Sequence, residues 1–236
     1  MSRILSNEKL SKDFYLMKVE HKNNAQMGQF YMLRAWDQYP VLSRPISVYD
    51  ADGDTLSFLY KVVGKGTEIF AELEKDDDIT LQGPLGNTIP DMDGKIAMVG
   101  GGVGIAPIYL ASKRLKEMHP ECNIDIFLGF SDVALLEDEY GKVADNVTVN
   151  VGGFVTDDIS PENYDHIFTC GPEIMMKVLF EKCRKAGVED RLLISVENRM
   201  ACGIGACLVC SCKTDKSNRK ACTDGPIFSG KAVFGI

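Results

Sequence analysis

The chain has 236 residues, of which 45% are hydrophobic and 25% are charged, and its formal net charge at pH 7 is −8. This length supports one large domain or two ordinary ones, and the composition is that of a globular protein rather than a disordered or fibrous one. The negative charge argues against a nucleic-acid-binding protein, which needs a basic face.

The beginning of the chain, "MSRILSNEKLSKDF", has no continuous apolar segment of the kind found in secretory signals. The longest apolar run, over residues 96–110, is interrupted by four glycines and a proline, so it does not predict a membrane span. We therefore expect a cytoplasmic protein. In that reducing compartment, clustered cysteines are more often metal ligands or redox groups than structural disulfides.

The first ninety residues are dominated by short β-rich runs with a hydrophobic period close to two. Turn signals such as "NNAQMG" and "DADGD" separate the runs. This regular spacing predicts a small antiparallel barrel or sandwich. One helix is predicted in "GTEIFAELEK", where Ile69, Phe70 and Leu73 are apolar. The predicted strands are "DFYLMKVEH", "GQFYMLRAW", "RPISVYDA" and "DTLSFLYKVV".

From Lys95 onward, buried apolar strands alternate with amphipathic helices, a pattern typical of a parallel α/β sheet. The strands are "KIAMVG", "NIDIFLGF", "NVTVNVGG", "YDHIFTCG" and "RLLISVE", and the main helices are "IAPIYLASKRLKEM" and "PEIMMKVLFEKCRKAG". We divide the chain into a β domain at 1–91, an α/β domain at 92–196 and a cysteine-rich region at 197–236.

The cysteine-rich region contains Cys202, Cys207 and Cys210 in the C-x4-C-x2-C spacing of plant-type [2Fe–2S] proteins. Gly203 and Gly205 lack a Cβ atom, so the loop can approach an inorganic core and direct backbone N–H groups at its sulfurs. The fourth ligand must come from elsewhere in the chain. Cys222 is the natural candidate, and we predict that these four thiols hold a [2Fe–2S] cluster.

A zinc site and a disulfide are less favoured interpretations of the same cysteines than a [2Fe–2S] cluster. A structural zinc site usually pairs two short knuckles, and the second knuckle is absent here. Cys212 could replace Cys222 as the fourth ligand. It lies only two residues from Cys210, however, so we expect a free thiol at that position.

A glycine-rich turn, "MVGGGVGIAPI", joins the first α/β strand to its helix. Gly102 and Gly104 allow a tight turn that places a helix N-terminus beside a pyrophosphate, although Pro107 stands where the dinucleotide fingerprint has Gly or Ala. A tight turn without a ligand is equally consistent with this motif. Cys170 and Gly171 end a later strand, and we expect them to face the same crevice.

Three further segments of the chain bear on which nucleotide is preferred and on how phosphate groups could be bound. Ser131-Asp132, and no Arg or Lys, follows "FLGF", which favours NADH over NADPH. Arg44 could bind a phosphate bidentately and Ser47 could meet a flavin edge; taken alone, they read as a solvated charge and a strand residue. Thr67 could hold phosphate oxygens through its N–H and hydroxyl, or it could simply cap a helix.

Together these motifs resemble the electron-transfer subunits of NAD-dependent dihydroorotate dehydrogenases, within the ferredoxin–NADP reductase superfamily. The resemblance covers the chain: "RPIS", "GPLGN", a glycine turn with G-G-G-x-G-x-x-P, "CGP", and above all "SVENRMACGIGAC" with the closing "CTDGPIF". It implies a flavin-binding β-barrel, a parallel α/β domain that binds NAD, and a C-terminal [2Fe–2S] region.

The resemblance also implies cofactors, site residues and a partner. FAD would lie in the barrel domain, [2Fe–2S] would be held by the four cysteines, and NAD+ would be the electron acceptor. The partner would be a separate FMN-containing catalytic subunit that oxidises dihydroorotate in pyrimidine synthesis, in a complex with two copies of each chain. The implied FAD residues are Arg44, Pro45, Ile46, Ser47, Leu59, Tyr60, Lys61, Gly66 and Thr67.

The sequence departs from the family pattern after the third α/β strand. Many relatives have T-D-D-G-S-x-G-x-x-G there, whereas this chain keeps only Thr156-Asp157-Asp158, so its nucleotide contacts in that segment are open.

The motifs also allow two other functions: a reductase that acts alone or with another partner, and a non-catalytic module with a zinc-loaded tail. Glu197, just before the cysteines, receives no assigned role.

Overall fold

The computed structural model describes residues 1–235, which form an antiparallel sheet, a mostly parallel sheet and a two-stranded hairpin. The order of strands in the seven-stranded antiparallel sheet is β4-β3-β7-β1-β2-β6-β5. The sheet curls as a barrel does, because β4 also contacts β6. Its members are β1 (Ser2–Lys9), β2 (Phe14–Glu20), β3 (Phe30–Arg34), β4 (Arg44–Ser47), β5 (Asp50–Ala51), β6 (Thr55–Lys61) and β7 (Asp78–Leu85).

The interior of this sheet is filled by large side chains that include Tyr31, Phe58 and Phe70, all fully buried. Phe70 lies on α1 (Lys65–Ala71), which is shorter than the helix predicted over 66–75. The strands β1 and β7 were not predicted from the sequence. The strand β1 is mostly polar, and its pairing with β2 and β7, which no local pattern encodes, makes it a strand.

The second sheet has the order β10-β9-β8-β11-β12-β15, and every pair except β12 with β15 is parallel. The predicted α/β class is therefore confirmed. No helix within residues 1–235 is long and apolar enough to cross a membrane. The sheet contains β8 (Lys95–Gly101), β9 (Asn123–Phe130), β10 (Asn146–Val151), β11 (His166–Cys170), β12 (Leu192–Ser195) and β15 (Ile227–Ser229). The helices that accompany it are α2 (Ala106–Met118), α3 (Glu137–Gly141), α4 (Glu173–Lys185) and α5 (Gly230–Phe234).

The C-terminal region carries the hairpin β13 (Ser211–Lys213) with β14 (Asn218–Lys220), and then returns to the second sheet. Its strand β15 pairs with β12, with Phe228 opposite Ile194. The proposed division at residue 197 therefore separates the cysteine loop, while the end of the chain extends the α/β sheet.

The helix α2 holds the two large sheets together. Its Leu110 is fully buried in the barrel core, and its Lys113 forms an ion pair of 2.8 Å with Asp50. Tyr109 of the same helix stacks on Tyr49, with 4.5 Å between ring centroids. Because these contacts fix α2 against the barrel, they also fix the width of the cleft where α2 begins.

Candidate functional site

A cleft with a volume of about 460 Å³ opens between the barrel and the start of α2. This volume is within the range of small-molecule and cofactor pockets. The cleft is lined mainly by apolar atoms, with a few polar groups that could orient a ligand. Eight of the residues predicted to bind FAD line it: Arg44, Pro45, Ile46, Ser47, Leu59, Tyr60, Lys61 and Thr67.

All three regions of the chain contribute walls to this cleft, which the sequence analysis did not foresee. Val103 and Ala106 come from the glycine turn and the start of α2, and Met200 comes from the segment that precedes the cysteines. Val103, Ala106 and Met200 lie in motifs quoted above, but no local pattern placed them beside a flavin, since chain segments far apart in sequence bring them together. The lining residues that were missed are Phe30, Val63, Val103, Ala106, Ser195, Val196, Glu197, Asn198, Arg199, Met200 and Pro226.

Arg44 is one of three cations within residues 1–235 that line the cleft, with Lys61 and Arg199. Its guanidinium lies 5.4 Å from the centroid of the Trp36 ring, and it also donates to the carbonyl of Leu42. The side chain passes directly over Gly66, where any Cβ atom would overlap it. Gly66 therefore contributes space, and the half-buried guanidinium keeps donors available for bidentate binding of a phosphate.

Thr67 lines the cleft, but its hydroxyl is already engaged at the start of α1. The oxygen accepts the N–H groups of Val63 and Gly64 at 2.9 and 3.2 Å, and the hydroxyl donates to the Gly64 carbonyl at 2.9 Å. The Thr67 N–H donates to the same carbonyl. Helix capping therefore accounts for these groups, and the predicted phosphate bonds from the Thr67 hydroxyl and N–H are not favoured.

The glycine turn and the "CGP" motif meet, as the sequence analysis expected. A Cβ atom at Gly104 would overlap the carbonyl of Cys170, so only glycine permits this approach. Gly102 adopts a φ of 57°, which completes the tight turn. These residues lie beside the cleft rather than in it, and Gly171 lines a second, adjoining cavity of about 390 Å³. Their predicted role in NAD binding stays a prediction.

Cys170 and Glu197 form a contact at the edge of the cleft, with 3.8 Å from the thiol sulfur to Oε1. Burial, reinforced by the Glu197 charge, raises the pKa of the Cys170 thiol well above its ordinary value. The Glu197 side chain remains accessible through the cleft. Nearby protein atoms nevertheless remove part of its hydration and raise its pKa, while the Cys170 contact opposes the rise. The thiol therefore stays protonated near neutral pH.

The four predicted cluster ligands occur as two pairs. In the first, the Cys207 N–H donates to the Cys202 sulfur at 3.5 Å. Hydrogen bonds to the Cys202 sulfur lower its pKa to about 6; the Cys207 N–H has the largest effect and the Ile204 N–H the next largest. In the second pair, the sulfurs of Cys210 and Cys222 are 3.2 Å apart. Burial and the Cys210 thiol raise the pKa of Cys222 to about 11, although the hydrogen bond from the Gly205 N–H acts to lower it.

This pairing fits a cluster of two irons better than a single metal ion. No group of three or more His, Cys, Asp or Glu side chains within residues 1–235 is arranged to hold one ion. A [2Fe–2S] cluster with four thiolates needs two sulfurs for each iron. Gly205, with a φ of 78°, turns its N–H toward Cys222. Cys212, on the hairpin strand β13, instead approaches the Arg219 carbonyl at 3.4 Å.

The cysteine pairs and the cleft share part of one wall. Cys210 and Cys222 are buried against Phe30, and the half-buried Met200 packs on the same cluster of side chains. Phe30 and Met200 also line the cleft. A ligand in the cleft and a cluster on the cysteines would therefore be separated by little more than these side chains.

Asn87, from the "GPLGN" motif, joins the cysteine region to the barrel. Its side-chain amide donates to the Ile227 carbonyl at 2.9 Å, and its oxygen accepts the Ile227 N–H at 2.9 Å. The same amide reaches the Asp224 carbonyl. These bonds hold the segment between Cys222 and β15 beside the cleft.

A cofactor cleft between a barrel and an α/β domain, next to paired cysteines, defines a flavin reductase of the ferredoxin–NADP reductase type with an added iron–sulfur region. Solved structures agree. The structure of an NADH-dependent reduced ferredoxin–NADP oxidoreductase matches with a TM-score of 0.88 and 30% identity over 99% of this chain and 89% of that one. A ferredoxin–NADP+ reductase from Neisseria gonorrhoeae shares the fold, with a TM-score of 0.67 and 16% identity over 82% and 96% of the two chains.

Sequence relatives define the family more narrowly. Residues 197–234 match the iron–sulfur cluster binding domain of dihydroorotate dehydrogenase B. The electron-transfer subunit of NAD+-dependent dihydroorotate dehydrogenase B from Clostridium acetobutylicum is 44% identical, over 99% of this chain and 96% of the relative. The corresponding subunit from Clostridium perfringens is 40% identical, over 98% and 96%. The chain belongs to this family of electron-transfer subunits, as the sequence analysis predicted.

Proposed function

We propose that this chain carries electrons from the catalytic subunit of a dihydroorotate dehydrogenase to NAD+, in the formation of orotate for pyrimidine synthesis. Family membership supports this function, and the shared wall between the cysteine pairs and the cleft is the observation that carries it. When bound, the [2Fe–2S] cluster passes single electrons, and FAD exchanges single electrons for the hydride that NAD+ accepts.

The chain's own residues would bind and orient these groups. Arg44 would neutralise a phosphate of FAD, while Ser47, Leu59 and Tyr60 would line the rest of the cofactor. The paired thiols Cys202 with Cys207 and Cys210 with Cys222 would each hold one iron. Phe30 and Met200 would form the apolar wall between the two sites.

The partner would be an FMN-containing catalytic subunit, and we propose a complex with two copies of each chain. No general acid or base for dihydroorotate is assigned to this chain, since that chemistry belongs to the partner. Three exposed apolar residues, Ile204, Leu208 and Val209, surround the exposed Cys207. Their exposure is consistent with a partner that covers the cluster. The reduced thiols that the cluster needs support a cytoplasmic location.

Co-expression with the catalytic subunit tests this function. The purified complex should contain FAD, FMN, iron and labile sulfide, and it should form orotate with stoichiometric reduction of NAD+. The Cys207→Ser variant should lose NAD+-dependent turnover, while Cys212→Ser should keep it. A catalytic subunit that reduces NAD+ equally well without this chain would contradict the proposal.

One observation favours a second candidate. The match with the NADH-dependent reduced ferredoxin–NADP oxidoreductase covers nearly the full chain at 30% identity, so the same cofactor arrangement could serve another partner. Affinity capture of the tagged chain from its own cells, followed by an orotate assay on the captured complex, separates the two. Capture of a complex that reduces NAD+ but forms no orotate would favour the second candidate.

A further inference from the structure

Three tyrosines form a buried contact between the barrel and the α/β domain. Tyr49 stacks on Tyr109 of α2 at 4.5 Å between centroids. Tyr140 of α3 meets the other two rings edge-on, at 6.3 Å from Tyr49 and 5.8 Å from Tyr109. We call these residues the tyrosine cluster. Tyr140 is its most buried member, with no exposed surface.

The Tyr140 hydroxyl has one specific partner. It donates a 2.7 Å hydrogen bond to the carbonyl of Ile105, the last residue of the turn Gly102–Ile105. Burial raises the pKa of Tyr140 well above its ordinary value, so the hydroxyl remains a donor across the working pH range. The Tyr49 hydroxyl differs, because it is buried and has no hydrogen-bond partner within residues 1–235.

The turn is held from two sides. On one side, Gly104 packs directly on the backbone of Cys170. On the other, Tyr140 binds Ile105. Within the turn, Val103 faces the cleft, as does Ala106 immediately after it. A shift of Ile105 would therefore move the wall of the cleft that belongs to the α/β domain.

The tyrosine cluster also reaches the opposite wall. Tyr49 lies two residues after Ser47, which lines the cleft at the end of β4. The neighbouring ion pair of Asp50 with Lys113 reinforces this contact. The path from Ser47 through Tyr49 and Tyr140 to Ile105 thus connects the two walls by packed rings and one hydrogen bond.

We propose that Tyr140 is a positioning residue for hydride exchange between nicotinamide and flavin, acting by holding the turn Gly102–Ile105 at a set distance from the β4 wall. This inference rests on the proposed function, in which FAD bound in the cleft exchanges a hydride with NAD+, and on the position of Val103 and Ala106 in the cleft wall. Tyr140 itself exchanges neither electrons nor a proton. Hydride exchange is sensitive to such positioning, because reacting atoms must approach to about 3–3.5 Å and small displacements cost large factors in rate.

The test compares two ring-preserving variants of the same cluster. Tyr140→Phe removes the bond to Ile105, whereas Tyr49→Phe removes only an unpartnered hydroxyl. With FAD and the cluster in place, stopped-flow reduction of the flavin by NADH should be about tenfold slower in Tyr140→Phe and unchanged in Tyr49→Phe. Reduction by dithionite, which needs no nucleotide, should be equal in both variants.

A second readout separates positioning from general destabilisation. With NADH deuterated at the transferred position, the primary isotope effect on flavin reduction should change in Tyr140→Phe and not in Tyr49→Phe. Loss of stability alone would lower Tm and FAD content without altering this effect. Equal rates and isotope effects in the two variants would overturn the inference alone. A wild-type protein whose flavin NADH does not reduce would overturn the proposed function and this inference with it.

Discussion

The individual thiols between residues 202 and 222 are distinguished by their surroundings. Cys202 receives backbone N–H groups that favour its thiolate. Cys222 is buried beside Cys210, which disfavours a second charge in the absence of a metal. Burial and the nearby Cys210 raise the pKa of Cys212, whose sulfur lies 3.4 Å from the Arg219 carbonyl. Metal ligation requires thiolates, so binding of the cluster should release protons, including that of the buried Cys222, whose pKa is raised.

Replacement of single cysteines tests this assignment. Cys222→Ser should lose the [2Fe–2S] absorption and bound iron and sulfide, because it removes one sulfur of the 3.2 Å pair. Cys212→Ser, made in the adjacent hairpin, should retain all three. Iron and sulfide analysis of anaerobically purified protein measures both. Cluster loss in Cys212→Ser with retention in Cys222→Ser would exchange the roles of the two thiols.

Asp145 provides a prediction for pH dependence. Burial alone would raise its pKa, but the Lys116 ammonium at 2.6 Å and the Ile124 N–H at 2.7 Å outweigh burial and lower it. The folded state therefore prefers the charged carboxylate. Its contribution to the free energy of unfolding is present above the unfolded-state pKa of about 3.9 and is lost as the pH falls through the lower, folded-state pKa.

Asp145→Asn should consequently be less stable than the wild type at pH 7, and the difference should shrink as the pH falls below about 4. Urea unfolding at pH 7, 4 and 3 measures it. Asp54→Asn, which changes an exposed carboxylate, is the control and should show a smaller difference at pH 7. A deficit in Asp145→Asn that is constant across this pH range would rule out the ionised carboxylate as its cause.

Among the secondary-structure elements, β15 shows how a short segment depends on one side chain. It has three residues and forms one edge of the α/β sheet through β12. Asn87, from the segment that follows β7, binds both backbone groups of Ile227 at its start. The cysteine loop is therefore anchored at its far end by the barrel as well as by the sheet.

Asn87→Ala should lower the free energy of unfolding by about 2–3 kcal/mol, because it leaves buried backbone groups of Ile227 unpaired. It should also increase the rate of cluster loss in air, since the segment after Cys222 loosens. Asn146→Ala, which removes an exposed bond to Asp125, is the matched control and should change neither property appreciably. Equal effects in the two variants would contradict the anchoring role.

The cleft is lined by all three regions of the chain. Its walls include Arg44 of the barrel, Ala106 of the α/β domain and Met200 of the cysteine region. A ligand that binds only the folded protein stabilises it by about 2.7 kcal/mol at a concentration of 100 times its Kd. Bound FAD should therefore stabilise all three regions rather than the barrel alone.

Thermal unfolding of FAD-depleted protein, with and without added FAD, tests this prediction. Added FAD should raise the Tm of the protein. It should also slow the hydrogen exchange of amides in β6, which reports on the barrel, and in β11, which reports on the α/β domain. FMN, which lacks the adenosine part of FAD, should raise Tm less at the same concentration. Protection confined to β6 would show that the cleft does not join the regions.

Much of this architecture was predictable from local pattern. The alternation of apolar strands and amphipathic helices from Lys95 onward identified the α/β sheet, because period and helix length are properties of short segments. The spacing of Cys202, Cys207 and Cys210 predicted an iron–sulfur cluster for a similar reason, since one loop must supply several ligands within a short distance, and the family match over residues 197–234 agrees with a cluster in this region. The motif "RPIS" likewise marked one wall of the cleft.

The remaining features depend on contacts between residues far apart in the chain. The strand β1 has little apolar pattern of its own and exists through its two partners. The walls at Val103 and Met200, and the bond from Tyr140 to Ile105, arise where separate elements pack together. Local pattern encodes which elements form, since it reflects the period of each segment. Their mutual placement follows from side-chain packing at long range, and that placement brings the cleft, the glycine turn and the paired thiols to one junction.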